Sequence, residues 1–199
     1  TTVLSLALAI TAGYGLSRYR FHGRGVLGFA LFATQMLPEA IIVVPLYALF
    51  AILGLLNGLG GLVLANPAFA MPVAVWIVKS AMDDVPYEIE EAARVDGCPR
   101  FGILTRIMAP LTAPSIAAAA VITFFDGWNE YLFALTFTLV SKASQTVPVA
   151  IANFSGYGYE IPIADRIAAT VVVTVPVLVL VLIFQRRIIE GLTAGAVKG

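Results

Sequence analysis

Charge is what this sequence is short of. Of its 199 residues only 12% are Asp, Glu, Lys or Arg, while 60% are hydrophobic. A soluble domain is about a quarter charged. A larger core cannot make up the difference, because a chain of this size still has a wide surface to wet. The formal net charge is zero, which leaves no overall field to draw nucleic acid. The single cysteine, Cys98, excludes an intramolecular disulfide framework. With a single histidine, His22, a zinc site of His/Cys type has too few ligands, so no metal site is expected. There is no Gly-x-x-x-x-Gly-Lys-[Ser/Thr] loop, so the chain cannot cradle ATP phosphates in that way. No Ser/His or Asp/Asp pair stands at a recognisable spacing, and no catalytic residue is assigned.

What is present is order in the apolar residues. Segments 107–125 and 167–185 carry no charge, and each is long enough for a span of about 20 residues. Segment 40–78 is uncharged for longer and is broken by Asn57, Gly58, Gly60 and Gly61, which reads as two spans and a tight turn. Segment 1–17 is apolar and ends in Arg18, Arg20 and Arg24, the reverse of a signal peptide, whose positive region comes first. The expectation is an all-α membrane bundle of five spans, near 1–17, 26–54, 61–82, 108–138 and 166–185.

The basic residues orient it. If the turn after the first span is cytoplasmic, that side holds Arg18, Arg20, Arg24, Lys79, Arg94, Arg100, Arg106, Arg186, Arg187 and Lys198. The other side keeps Lys142 and Arg166, a strong positive-inside bias. This places the N-terminus outside and implies an earlier helix absent from this sequence. Prolines at 38, 45, 67, 72, 110, 114 and 176 predict bent helices. Gly13, Gly15, Gly28 and the alanines 117–120 suit close helix approach.

Segment 83–110 breaks the membrane pattern. Asp84 and Pro86 suit a helix start, and Glu88, Glu90 and Glu91 suit its positive end. Ile89, Ala92, Ala93 and Asp96 fall near one face. Gly97 permits a sharp stop. Pro99 opens a second helix, with Phe101, Leu104 and Ile107 at spacing three. Two short helices about a glycine corner, with a small face at Ala92 and Ala93, suit the approach of another protein.

Glu91-Ala92-Ala93, Gly97, Ile107 and Pro110 together resemble the EAA motif of ABC importer permeases: Glu-Ala-Ala, three residues, Gly, nine residues, Ile-x-Leu-Pro. Ala109 stands where leucine is usual. Phe124-Phe125-Asp126-Gly127-Trp128-Asn129-Glu130-Tyr131-Leu132 resembles the fifth-helix signature of maltose-type sugar permeases. Gly191-Leu192-Thr193-Ala194-Gly195-Ala196-Val197-Lys198-Gly199 resembles the C-terminus of their G-type subunit. The likeness covers essentially the whole sequence as a single transmembrane domain, from the family's second helix of six onward.

The resemblance implies a permease subunit of a binding-protein-dependent sugar importer in a bacterial or archaeal inner membrane. It implies a second permease, an ATPase dimer that holds the ATP and Mg, and an external sugar-binding protein. It assigns Glu91, Ala92, Ala93, Asp96, Gly97, Ile107 and Pro110 to ATPase coupling. The outer loop, 139–165, with Asn153, Phe154, Gly156 and Tyr157, would enter the binding protein's sugar cleft. The tail, 186–199, would reach the ATPase.

Glu39, Asp126 and Glu130 lie inside apolar spans, with Gln35 and Asn129 nearby. Intramembrane carboxylates are costly and face a bundle interior or water. Asp126 and Glu130 are four apart, so they share one helix face, and Trp128 and Tyr131 add surfaces of the kind that stack on sugar rings. Four roles stay open for this candidate translocation pathway: sugar hydrogen bonding, contact with a second permease, an interfacial position, or proton relay. The alternative function is an ion-coupled secondary transporter using Glu39, Asp126 and Glu130, which leaves segment 83–110 without a purpose. Nothing in the sequence selects the sugar.

Overall fold

The computed structural model describes residues 1–153 and 163–193, with 186–193 as backbone alone. Those residues form helices and their connections, with no strand among them. The chain begins with α1 (Thr2–Arg18), an apolar helix whose last turn carries Arg18. Its 17 residues span about 26 Å, the short end of what crosses a bilayer.

Next come α2 (Arg24–Thr34) and α3 (Glu39–Ile52), expected as one span over 26–54. They are separate helices bent by 102°. The cause is local: Pro38 is extended (φ −60°, ψ 128°), lacks an N–H, and disfavours helix in the residue before it. By contrast α4 (Leu59–Ala65) and α5 (Pro67–Asp83) form one continuous span, Leu59–Asp83, because Asn66 between them keeps helical angles. Pro67 sits in the first turn of α5, where no donor is needed.

The loop helices are α6 (Tyr87–Val95) and α7 (Arg100–Ile103), followed by a π turn (Leu104–Met108) and the single turn α8 (Ala109–Leu111). A bend of 84° then leads into α9 (Ala113–Asn129). The expected span 108–138 therefore ends at Asn129, since Glu130 is extended and a short α10 (Leu132–Phe137) restarts the helix. After α11 (Val147–Ala152) comes α12 (Ile163–Thr193). Among the described residues, Leu59–Asp83 and Ile163–Gln185 are each long and apolar enough to cross a membrane, and counting each bent pair as one span gives four. With α1 the bundle has about five.

α5 is the centre. α1 lies along it, α9 packs on both, and α12 covers α9. Lipid is as apolar as leucine, so close packing rather than escape from water holds these helices together. At Gly13 α1 and α5 approach closely: a Cβ there would sit 3.1 Å from Val78 Cγ1 and 3.2 Å from the Lys79 nitrogen. Gly15 faces open space, and Gly28 is only in ordinary contact with Trp76. Their expected role in close approach belongs to Gly13 alone. Ala118 and Ala119 are fully buried on α9.

A second cluster joins α3, α4, α10 and α11 through Val43, Phe50, Leu62, Phe133, Phe137 and Val149. Phe137 packs its ring 5.0 Å from Phe50 and 5.8 Å from Phe133, tying α10 to α3. Along α12, Val171, Val172, Leu182 and Ile183 are all exposed. Such a surface is a liability in water and an ordinary lipid face in a bilayer.

Candidate functional site

The loop site is built on α6. Pro86 precedes its first turn, and Glu88 and Glu90 lie at its positive end. Its C-terminus is a Schellman motif. Cys98 N–H donates to the Ala93 carbonyl at 2.9 Å and Gly97 N–H to Arg94 at 3.0 Å. Gly97 has φ +78° with nothing near a would-be Cβ, so glycine is needed there for its backbone and not for space.

This start and stop set the helix phase, and the phase corrects the expected face. Glu90 and Ala93 turn inward. Glu91, Ala92, Val95 and Asp96 are exposed, as is Gly97. Ala93 is therefore a packing residue in the core with Met82, Ile103 and Met108, and the small outer surface is Ala92 alone. Phe101 also departs from its expected stripe. It is exposed in the first turn of α7, while Ile103, Leu104 and Met108 are buried, and the wider π turn carries the inward face from Leu104 to Met108 rather than to Ile107. Ile107 is half-buried against this core, and Pro110 is exposed in α8.

The second site is a cavity of about 490 Å³ between the α2/α3 bend, the α4/α5 junction and the end of α9. Glu39, Asp126, Asn129, Glu130 and Tyr131 line it, together with Gln35. Five of the six residues expected on a pathway thus meet in one place. Trp128 does not. It stacks on Phe124 at 5.4 Å and faces a separate gap against α11 and α12.

The cavity's polar groups differ in freedom. Glu130 is engaged: its Oε1 accepts Phe133 N–H at 2.6 Å and its Oε2 accepts Ala134 N–H at 3.0 Å. It caps α10 and does not share a helix face with Asp126, because α9 has already ended. The Gln35 amide donates to the Phe69 carbonyl at 2.8 Å, and Asn129 donates back to Phe125 at 3.0 Å. The sequence reading missed Asn66. It is 8% exposed, lines the cavity, and its Oδ1 has no hydrogen-bond partner among the described residues. Its one signal was being an amide inside the uncharged run 40–78.

Of the outer-loop residues, Asn153 is exposed at the end of α11. Phe154, Gly156 and Tyr157 lie outside the described residues, as do 194–199 of the tail, and 186–193 are described by backbone alone.

The described residues form a strand-free bundle of bent spans, interrupted by a short helix pair and holding a polar cavity, which is the fold of a type I ABC importer permease. The chain belongs to the family of binding-protein-dependent transport system inner membrane components, which matches residues 5–192. It is a transport component and not an enzyme. It is 39% identical over 200 residues to the trehalose transport system permease protein SugB of Mycobacterium tuberculosis, covering 100% of this chain and 73% of that one. It is 37% identical over 198 residues to the trehalose/maltose transport system permease protein MalG of Thermococcus litoralis, covering 100% and 71%. Its fold superposes with TM-score 0.69, at 24% identity, on a crystal structure of a bacterial ABC transporter involved in the import of the acidic polysaccharide alginate, covering 92% of this chain and 69% of that one.

Proposed function

We propose that this chain is one permease subunit of an ATP-driven importer of sugars or sugar derivatives. It forms half of a translocation pathway with a second permease, and an external binding protein delivers the cargo. A separate ATPase dimer, which holds ATP and Mg, docks on the outer face of α6. The observation that carries this reading is the phase of α6. Its Schellman stop and buried Glu90 and Ala93 leave Glu91, Ala92, Asp96 and Gly97 outward at the positions of the motif.

In this reading Glu91 and Asp96 meet basic residues of the ATPase, and Ala92 allows close approach. Ala93 and Ile107 shape the docking surface from behind, and Pro110 lies exposed beside it in α8. The cavity around Glu39, Asp126, Asn129 and Asn66 is part of the pathway and offers hydroxyl-rich cargo hydrogen-bond partners. The names of the trehalose and maltose relatives support a carbohydrate cargo. Membership of an inner-membrane family supports a multi-pass chain of a bacterial or archaeal plasma membrane.

The test is purification of tagged chain from its native membrane, followed by reconstitution in proteoliposomes. An ATPase and a second permease are expected to co-purify, and uptake of trehalose to require ATP and the binding protein. Uptake by this chain alone, driven by an ion gradient, would overturn the reading in favour of a secondary transporter.

A further inference from the structure

The outer face of α6 explains how a motor could hold this loop. It does not explain how a push on the loop reaches the bundle, because α6 is a short helix outside the spans. Its inner face carries a buried charge. Glu90 is 0% exposed, and its Oε1 lies 2.5 Å from Arg18 Nε, with both side chains 1% exposed. Arg18 is in the last turn of α1, far away in sequence and favourably placed at the negative end of that helix.

The pair is a charge contact through Arg18 Nε alone, without hydrogen-bond geometry, and other contacts surround it. Arg18 Nη2 donates to the Val85 carbonyl at 2.7 Å, just before α6. The guanidinium lies 4.4 Å from the centroid of the Tyr87 ring. Tyr87 in turn donates its hydroxyl to the Ser17 carbonyl at 3.3 Å. The second Glu90 oxygen accepts from the Tyr14 hydroxyl at 3.2 Å and lies 3.5 Å from Arg94 Nη2. Ser17 Oγ donates to Asp83 Oδ1 at 2.6 Å. A buried charge pair is weak grounds for stability, since apolar groups of the same volume often do as well. What it adds is one defined geometry, which a greasy contact that slides does not.

We infer that Arg18 and Glu90 form the joint through which movement of α6 is transmitted to α1. This rests on the proposed docking of an ATPase on α6. The two are positioning residues: neither faces the motor or the cavity. Because α1 meets α5 in backbone-close contact at Gly13, a displacement delivered to Arg18 moves both helices together. Glu90 is buried while its neighbours Glu91 and Ala92 are exposed, so gripping and transmitting fall to different side chains of the same helix.

The experiment uses the whole importer complex in proteoliposomes, with Cys98→Ser and a reporter Thr34→Cys on the cavity wall. The labelling rate of the reporter by a small maleimide is measured without nucleotide and with Mg-ATP trapped by vanadate. With Arg18 and Glu90 in place, trapping is expected to change the rate at least about fivefold. In the double variant Arg18→Met/Glu90→Leu, which leaves no lone buried charge, vanadate still traps nucleotide but the change falls below about twofold. Arg18→Lys keeps the charge but cannot reach Glu90 and the Val85 carbonyl from separate nitrogens, and gives an intermediate change. A double variant that responds like the parent overturns the joint. So does a parent-like Arg18→Lys, should the double variant not be recovered. An unresponsive parent complex would instead sink alternating access itself, and the joint with it.

Discussion

The carboxylate of Glu130 accepts the backbone N–H of Phe133 at 2.6 Å and holds the start of α10. A group that sequence alone presents as a bare intramembrane charge is therefore part of the scaffold. The N–H groups it receives, from Phe133 and Ala134, are among those a helix start leaves without partners.

Glu130→Ala is expected to lower stability by about 1 kcal/mol, the ordinary worth of a cap. Glu130→Gln keeps an acceptor and loses less. Thermal unfolding in detergent checks both. ATP-dependent uptake by Glu130→Gln is expected to stay near the parent, whereas a proton relay through this residue requires its loss. Asp126→Asn in the same assay completes the comparison, since no hydrogen bond holds that carboxylate to a helix end among the contacts described.

Adjacent glutamates should behave in opposite ways. Glu90→Ala strands the Arg18 guanidinium without its partner, and breaking a buried pair costs roughly 3–5 kcal/mol. Glu91→Ala changes an exposed side chain and should stay within about 0.5 kcal/mol of the parent in stability. Yet it is Glu91→Ala that should weaken co-purification of the ATPase. Melting curves and pull-downs on the two variants separate the roles.

Gly97→Val places a β-branched residue at φ +78°, a conformation that costs an L-residue about 1–2 kcal/mol. Nothing lies within 4 Å of the new Cβ, so the effect is on the backbone and not on packing. Membrane insertion is expected to persist while coupled ATP hydrolysis is lost, as read by binding-protein-stimulated ATPase activity.

Asn66→Ala removes a buried acceptor that has no partner among the described residues. Assembly and melting temperature should hardly change, while trehalose uptake falls. A parent-like uptake would place the pathway elsewhere than this cavity.

Much was legible in one dimension. Charge-free runs announced the membrane, and the spacing from Glu91 through Gly97 to Pro110 marked the loop. These signals are local or depend only on counting, so they survive without coordinates. The bend at Pro38 was half legible: proline said that a helix would break, and only packing set the 102° that opens the cavity. The phase of α6 was not legible. Glu88, Glu90 and Glu91 are chemically alike and adjacent, and shifting a helix by one residue rotates its faces by about 100°.

Residue type, order and spacing thus determined by themselves that this chain is a helical membrane component interrupted by a short helix pair. The tertiary structure decided which glutamate is buried, which is a cap and which carboxylates share a cavity. The reason is physical: burial and pairing are set by residues distant in sequence, here Arg18 for Glu90, while helix starts and stops are set by near neighbours.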